Sequence, residues 1–325
     1  MLCVEKMTVE APAGNLRRRR NLHSRDQTRE NEFIDDTNGS GGQKTHATAF
    51  AVALQATFVA VVAAAVFSNT LDGEWAFDDR FAVTENADVM GADLAWGDLL
   101  WRHDFWGQDL ARSDSHKSWR PLTTLSFRLQ ARAQADQGQG RLGSLPATRP
   151  FHVANVALHA CATGVLVVVV HQLYAVVGGP ADPTAKLLGR RSRVAIGAGL
   201  LFAVHPVHVE SVASIVGRAD VLACLLSLLG LVLYCAMLRC HVDGHWSLCW
   251  AAGGFFAALG CGIAATAAKE LGLASFAAML AVDLVHARRR SGFNSGWAAR
   301  ALALISCVGA YVSLRKFLMV ELDVT

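Results

Sequence analysis

Seven long apolar blocks constrain the fold of this 325-residue chain more than any other feature. They run Ala47–Ser68, Phe151–Val177, Val194–Val216, Val221–Leu238, Trp246–Ala268, Leu271–Val285 and Ala301–Leu314. Crossing a bilayer as an α-helix takes about 20 consecutive apolar residues; the last two blocks fall short of that length. Richness in Ala and Leu favours helices over strands, so the expected fold class is an all-α polytopic membrane protein. Composition agrees, with only 18% charged residues against about 25% in a soluble domain. The 30 basic and 27 acidic residues are unevenly spread: 36 lie in residues 1–150 and 21 in 151–325. Intrinsic disorder, a collagenous repeat and a secreted disulfide scaffold are excluded. A net charge of +3 gives no reason to expect a nucleic-acid partner. The eight cysteines contain no CxxC pair and read as inert small hydrophobes.

The blocks divide the chain. Residues 1–46 are polar, with Arg17–Arg20 and a Gly/Ser run, and read as a disordered cytosolic tail. Residues 47–68 form the first transmembrane helix, too far from the N-terminus and too long for a cleavable signal peptide. Residues 69–150 are a long loop, and 151–325 a membrane domain of about six further spans. Basic residues in short loops mark the cytosolic side. Arg17–Arg20 places the N-terminus inside, and alternation then puts Lys186, Arg190, Arg191, Arg193, Arg239 and Arg288–Arg290 on the same side.

That orientation sends the other polar clusters to the opposite face: Asp78-Asp79, His103-Asp104, Lys117 to Arg120, His205 to Glu210, Arg218 to Asp220 and Lys269-Glu270. Ionisable groups at membrane depth cost about 2.5–3.5 kcal/mol each on insertion scales. So many on one face point to a site. In Phe77-Asp78-Asp79-Arg80, mutual repulsion would poise one carboxylate as a base, or the pair is a helix cap with solvated charges. Trp96, Leu99 and Leu100 share a helical face, with Trp101, Phe105 and Trp106 following. They suit elements lying flat at the membrane interface or a small soluble core. Pro121 should start a helix whose apolar side is Leu122, Leu125, Phe127 and Leu129, with Lys117 and Arg120 ahead of its N-terminus, a favourable place for an anion. His205, His208 and Glu210 suit a divalent metal by type, but only three ligands occur there and His-Pro also explains a kinked helix end, so no metal is expected. Arg218 with Asp220, and Lys269 with Glu270, read as charge-balanced local pairs.

In order, these segments resemble the transmembrane and TPR-repeat-containing O-mannosyltransferases. The matching residues are Phe77–Asp79, Asp104–Gly107, Lys117–Thr123, Phe151–His159, His205–Glu210, Val216–Asp220 and Lys269–Glu270. Singly each is weak; seven in register are specific. The resemblance implies a GT-C-like helical bundle in the endoplasmic reticulum membrane, with the 69–150 loop luminal and carrying interfacial helices. It implies an inverting glycosyltransferase that moves mannose from dolichyl-phosphate mannose to Ser or Thr hydroxyls of secretory-pathway proteins, with no further cofactor. The general base carried over is Asp78 or Asp79, the first being favoured by its place in the motif. Lys117, Arg120, His205, His208, Glu210, Arg218, Asp220, Lys269 and Glu270 are the substrate-binding candidates, with Arg120, Arg218 or Lys269 on the leaving phosphate. The family's TPR array is missing before Thr325, and no 34-residue repeat is visible. The expectation is a fragment, or a shortened relative whose activity is open. Competing readings are a transporter or non-catalytic scaffold using the same charges, and another lipid-linked sugar transferase.

Overall fold

The computed structural model describes residues 48–91, 93, 97–136, 145–178, 187–243 and 248–320. The tail expected over 1–46 and the Trp96 face lie outside these residues. An N-terminal unit ends at Ala51, of which residues 48–51 are described, as helix. The second unit, Val52–Thr325, holds everything below. The longer helices are α1 (Thr48–Val66), α2 (Pro121–Asp136), α3 (Arg149–Val177), α4 (Leu187–Val204), α5 (His208–Ala213), α6 (Arg218–Asp243), α7 (Leu248–Ala268), α8 (Ala274–His286) and α9 (Ser295–Val320). The described residues contain no strand, only an isolated bridge between His103 and Asp109. The chain is an all-α polytopic membrane protein.

Among the described residues six helical segments are long and apolar enough to cross a membrane: Thr48–Val66, Arg149–Val177, Arg218–Arg239, Ala251–Ala268, Glu270–Ser291 and Ser295–Leu318. The block expected at Val194–Val216 is divided instead. Pro206 lacks an amide proton and disfavours helical geometry at His205, so α4 stops at Val204 and α5 is separate. Arg190, Arg191 and Arg193 occupy the first turns of α4. The 11 residues from Val194 to Val204 would rise only about 16 Å. The last two blocks, short in sequence, sit in longer helical segments because Arg288–Arg290, Arg300 and Arg315 are built into them.

Side chains from α3, α6, α7, α8 and α9 share one core that includes Val176, Tyr234, Leu238, Ala258, Phe276, Met279 and Leu304. A second core joins α1, α3 and α4 through Val59, Ala63, Val167, Ala195 and Ala203. One charge is wholly inside the bundle. Asp283 accepts two hydrogen bonds from Arg300 at 2.9 Å and one from Tyr234 Oη at 2.8 Å. Satisfying every carboxylate oxygen is the condition under which such a buried charge is tolerated, and it ties α6, α8 and α9 together.

The 69–150 region folds onto one end of this bundle around Val83, Val89, Phe105, Phe127 and Phe151. Asp104 organises its central turn by accepting from Trp106 N, Gln108 N and Ser115 Oγ. Gly107 stands at φ 75°, where an added Cβ would lie 2.6 Å from Asn86 Oδ1, so the turn requires glycine. Of the aromatic run, Phe105 and Leu99 are buried, whereas Trp101 is half exposed and stacks on Trp119. The run builds a small core with an aromatic edge, rather than lying flat throughout. Helix α2 starts at Pro121 as expected, but its buried face is Thr123, Thr124, Phe127, Arg128, Ala131 and Gln134. Leu129 points outward. The polar side faces in because Arg128 donates to Asp88 O and Thr123 to Ala268 O, at 2.7 and 2.8 Å.

Candidate functional site

The polar clusters that the sequence places on one face do meet at one end of the bundle, through partners that sequence proximity does not suggest. Lys269 Nζ lies 2.6 Å from both Asp220 carboxylate oxygens. Arg120 Nε donates to Glu270 Oε2 at 3.2 Å. The local pairs expected between Arg218 and Asp220, and between Lys269 and Glu270, are therefore exchanged for pairs across helices. Residues one or two apart do not face each other on a helix. Lys269 is extended, at φ −156°, so it and Glu270 turn in different directions. Gly272 lets this segment fold back on α7, since a Cβ there would sit 2.2 Å from Ala265 C.

Arg218 is 2% exposed. It donates to Asn155 Oδ1 at 2.9 Å and to Phe151 O at 3.1 Å, and its guanidinium packs on the Phe127 and Phe151 rings. Asn155 in turn donates to Ser214 O and Ile215 O. This arginine fastens α3, α6 and the Ser214–Gly217 segment, and it is closed to a substrate phosphate. The signal for Asn155 was an amide in the middle of an apolar block.

The two adjacent acids take opposite places. Asp79 is 1% exposed: its Oδ2 accepts from Ala76 N at 3.1 Å, and its Oδ1 accepts from Val216 N at 2.9 Å and Ser214 Oγ at 3.4 Å. It is a cap and a tether. Asp78 is exposed, with no hydrogen-bond partner among the described residues. The helical turn Phe77–Asp79 separates them, since neighbouring residues on a helix project about 100° apart. The cap reading and the base reading thus describe different residues of one motif.

His205 is exposed and accepts from Val207 N; Glu210 is exposed. The His208 ring packs 4.2 Å from Phe202 and 5.1 Å from His159. Burial pushes the His208 imidazole below its usual value, and His205 adds to this. Among the described residues no group of three or more His, Cys, Asp or Glu side chains is placed to hold a metal ion. A cavity of about 360 Å³ is lined by His159, Phe202, His208, Ser211, Asp220 and Lys269, among others. Lys117 stands at φ 57° and turns its ammonium to Leu110 O, so it braces the loop. Beyond the expected residues, Arg315 reaches the site: its Nη1 lies 4.0 Å from Glu270 Oε1. A lone arginine near the end of a span was the sequence signal for it.

No family model and no solved structure matches the chain. Curated relatives do. The human protein O-mannosyl-transferase TMTC4 is 38% identical over 200 residues, 58% of this chain and 25% of the relative. The mouse protein O-mannosyl-transferase TMTC1 is 38% identical over 224 residues, 67% and 21% respectively. Human TMTC1 is 34% identical over 254 residues, 76% of this chain and 26% of its own length. Over this region the chain belongs to the TMTC family. It spans about a quarter of the length of these relatives. Within the family segments that the sequence carries, Asp79, Asp104, Asn155 and Arg218 hold backbone in place, whereas Asp78, Arg120, Asp220, Lys269 and Glu270 surround open space or pair across it.

Proposed function

We propose that this chain takes part in protein O-mannosylation, transferring mannose from dolichyl-phosphate mannose to Ser or Thr hydroxyls of secretory-pathway proteins in the lumen of the endoplasmic reticulum. The observation that carries the reading is the division of labour within Phe77-Asp78-Asp79. One acid is consumed by structure and fixes the other, exposed and unpaired, at the end of the bundle where the cations gather. A hydroxyl is a weak acid, and a carboxylate within hydrogen-bond reach takes its proton during attack. In the proposed step the acceptor oxygen bonds to the anomeric carbon, the bond from that carbon to the phosphate oxygen breaks, and the proton passes to Asp78. Dolichyl phosphate leaves as an anion. Direct attack inverts a β-linked donor into an α-mannoside.

The leaving phosphate calls for a cation. Arg218 is sealed and Lys269 is neutralised by Asp220, which leaves Arg120, half-buried beside Glu270. In the proposed topology the arginine-rich ends of α4 and α8 face the cytosol, and Asp78 with the cavity faces the lumen. Microsomes containing this chain, given labelled dolichyl-phosphate mannose, should label a Ser/Thr peptide and not its Ala counterpart. GDP-mannose with dolichyl phosphate synthesis blocked should give no label. Folded protein that transfers nothing would count against an enzyme and favour a membrane scaffold.

A further inference from the structure

We propose that an apolar groove on the far side of the Lys269-Glu270 segment seats the isoprenoid chain of a polyprenyl monophosphate, with Arg315 holding the phosphate. This rests on the lipid-linked donor proposed above. The groove, about 250 Å³, runs between α7, α8 and α9 and is lined by Trp119, Ile263, Phe276, Cys307, Ala310 and Tyr311, among others. It offers an occupant almost no polar hold. Its Thr266 hydroxyl is already spent on Gly262 O at 2.9 Å. The surrounding surface is equally apolar, with Phe256, Ile263, Ile305 and Val312 exposed, so the groove is reached from hydrocarbon.

The mouth is different. Arg120 and Arg315 approach one carboxylate, Glu270, at 3.2 and 4.0 Å, and Arg315 Nη1 also donates to Tyr311 Oη at 3.4 Å. Two guanidiniums against one acid leave a positive charge uncompensated, and Trp119 walls the same end by packing against Tyr311 and Trp101. An apolar channel ending in a cation fits an amphiphile with a long apolar chain and an anionic head. A packed helix does not fit: one turn about 10 Å wide and 5.4 Å tall sweeps about 420 Å³, more than the groove holds. Phosphate recognition by a planar guanidinium is the strong form of such a contact.

The test uses the full chain in lipid nanodiscs and a polyprenyl monophosphate carrying a photoreactive diazirine on its chain. Labelling should map to α7 and α9 around Ile263 and Ala310, saturate, and resist a hundredfold excess of phosphatidic acid. Arg315→Gln should weaken half-saturation about tenfold, and Arg315→Lys less. Ala310→Trp, which fills the groove, should abolish labelling there while thermal unfolding shows the protein still folded. Saturable labelling elsewhere, such as the cavity at His208, would overturn the groove and leave the lipid-linked donor standing. Equal displacement by phosphatidic acid would also overturn it, as a site for any anionic lipid. No saturable labelling anywhere would remove both the groove and the donor reading beneath it.

Discussion

Asp79 is the residue whose removal the fold should feel most sharply in the loop. Its buried carboxylate accepts from Ala76 N, Val216 N and Ser214 Oγ, and the last two belong to a segment more than 130 residues away. Hydrogen bonds to a charged group contribute about 1.5–3 kcal/mol each, and a buried donor left without a partner costs about 1–3 kcal/mol. Asp79→Ala strips the acceptors from two buried amides and should cost about 3–5 kcal/mol. Asp79→Asn retains one acceptor oxygen and turns an NH2 towards one of those amides, so about 2–3 kcal/mol is expected. Asp78→Asn touches no partner and should stay within about 0.5 kcal/mol, the usual range for surface changes. Thermal unfolding in detergent, followed by the accessibility of a buried cysteine such as Cys235, reads all three. Equal losses at Asp78 and Asp79, or no loss at Asp79, would refute the division drawn between them.

Other outcomes follow from the same contacts. Arg218→Lys keeps the charge but loses the fork that serves Asn155 and Phe151, so unfolding should come earlier by about 2 kcal/mol; unchanged stability would free Arg218 for a substrate role. A double-mutant cycle with Asp220→Asn and Lys269→Met should give a coupling of about 1–3 kcal/mol, while Arg218→Lys with Asp220→Asn should be nearly additive. His208 is held below its ordinary pKa by burial and by His205. The unfolded chain therefore binds more protons than the folded one once pH drops under about 6.5. Stability should fall as pH is lowered through that range and level off below the folded value, and His208→Gln should flatten the slope. A wild-type profile flat from pH 7 to 5 would contradict it.

How much of this was legible in the sequence differs by level. The spans were plain because apolar length is itself the physical requirement for crossing a bilayer. Only the third block misled, where His205-Pro206 broke a run that hydropathy joins. The meeting of distant clusters was legible from alternation alone, since helix ends of one parity share a face. Pairings were not. Arg218 and Asp220 are neighbours in sequence, yet one is sealed among Phe127 and Phe151 and the other reaches Lys269, because helix rotation decides which way each points. Asp78 and Asp79 are likewise equivalent as letters and opposite in burial. Helix α2 reads as apolar at Leu122, Leu125 and Leu129, but its buried face is polar, and the reason is the backbone carbonyls of Asp88 and Ala268 waiting there.

The central claim is that Asp78 takes the acceptor proton while Asp79 only holds it in place. Mannose transfer to a Ser/Thr peptide, measured per mole of folded protein, tests it most directly. Asp78→Asn should lose activity by about 10²–10⁴-fold, the usual contribution of a positioned general base, at unchanged thermal stability. Asp79→Asn, compared at a temperature where it remains folded, should keep a measurable rate. An active Asp78→Asn beside a folded but inactive Asp79→Asn would contradict the account.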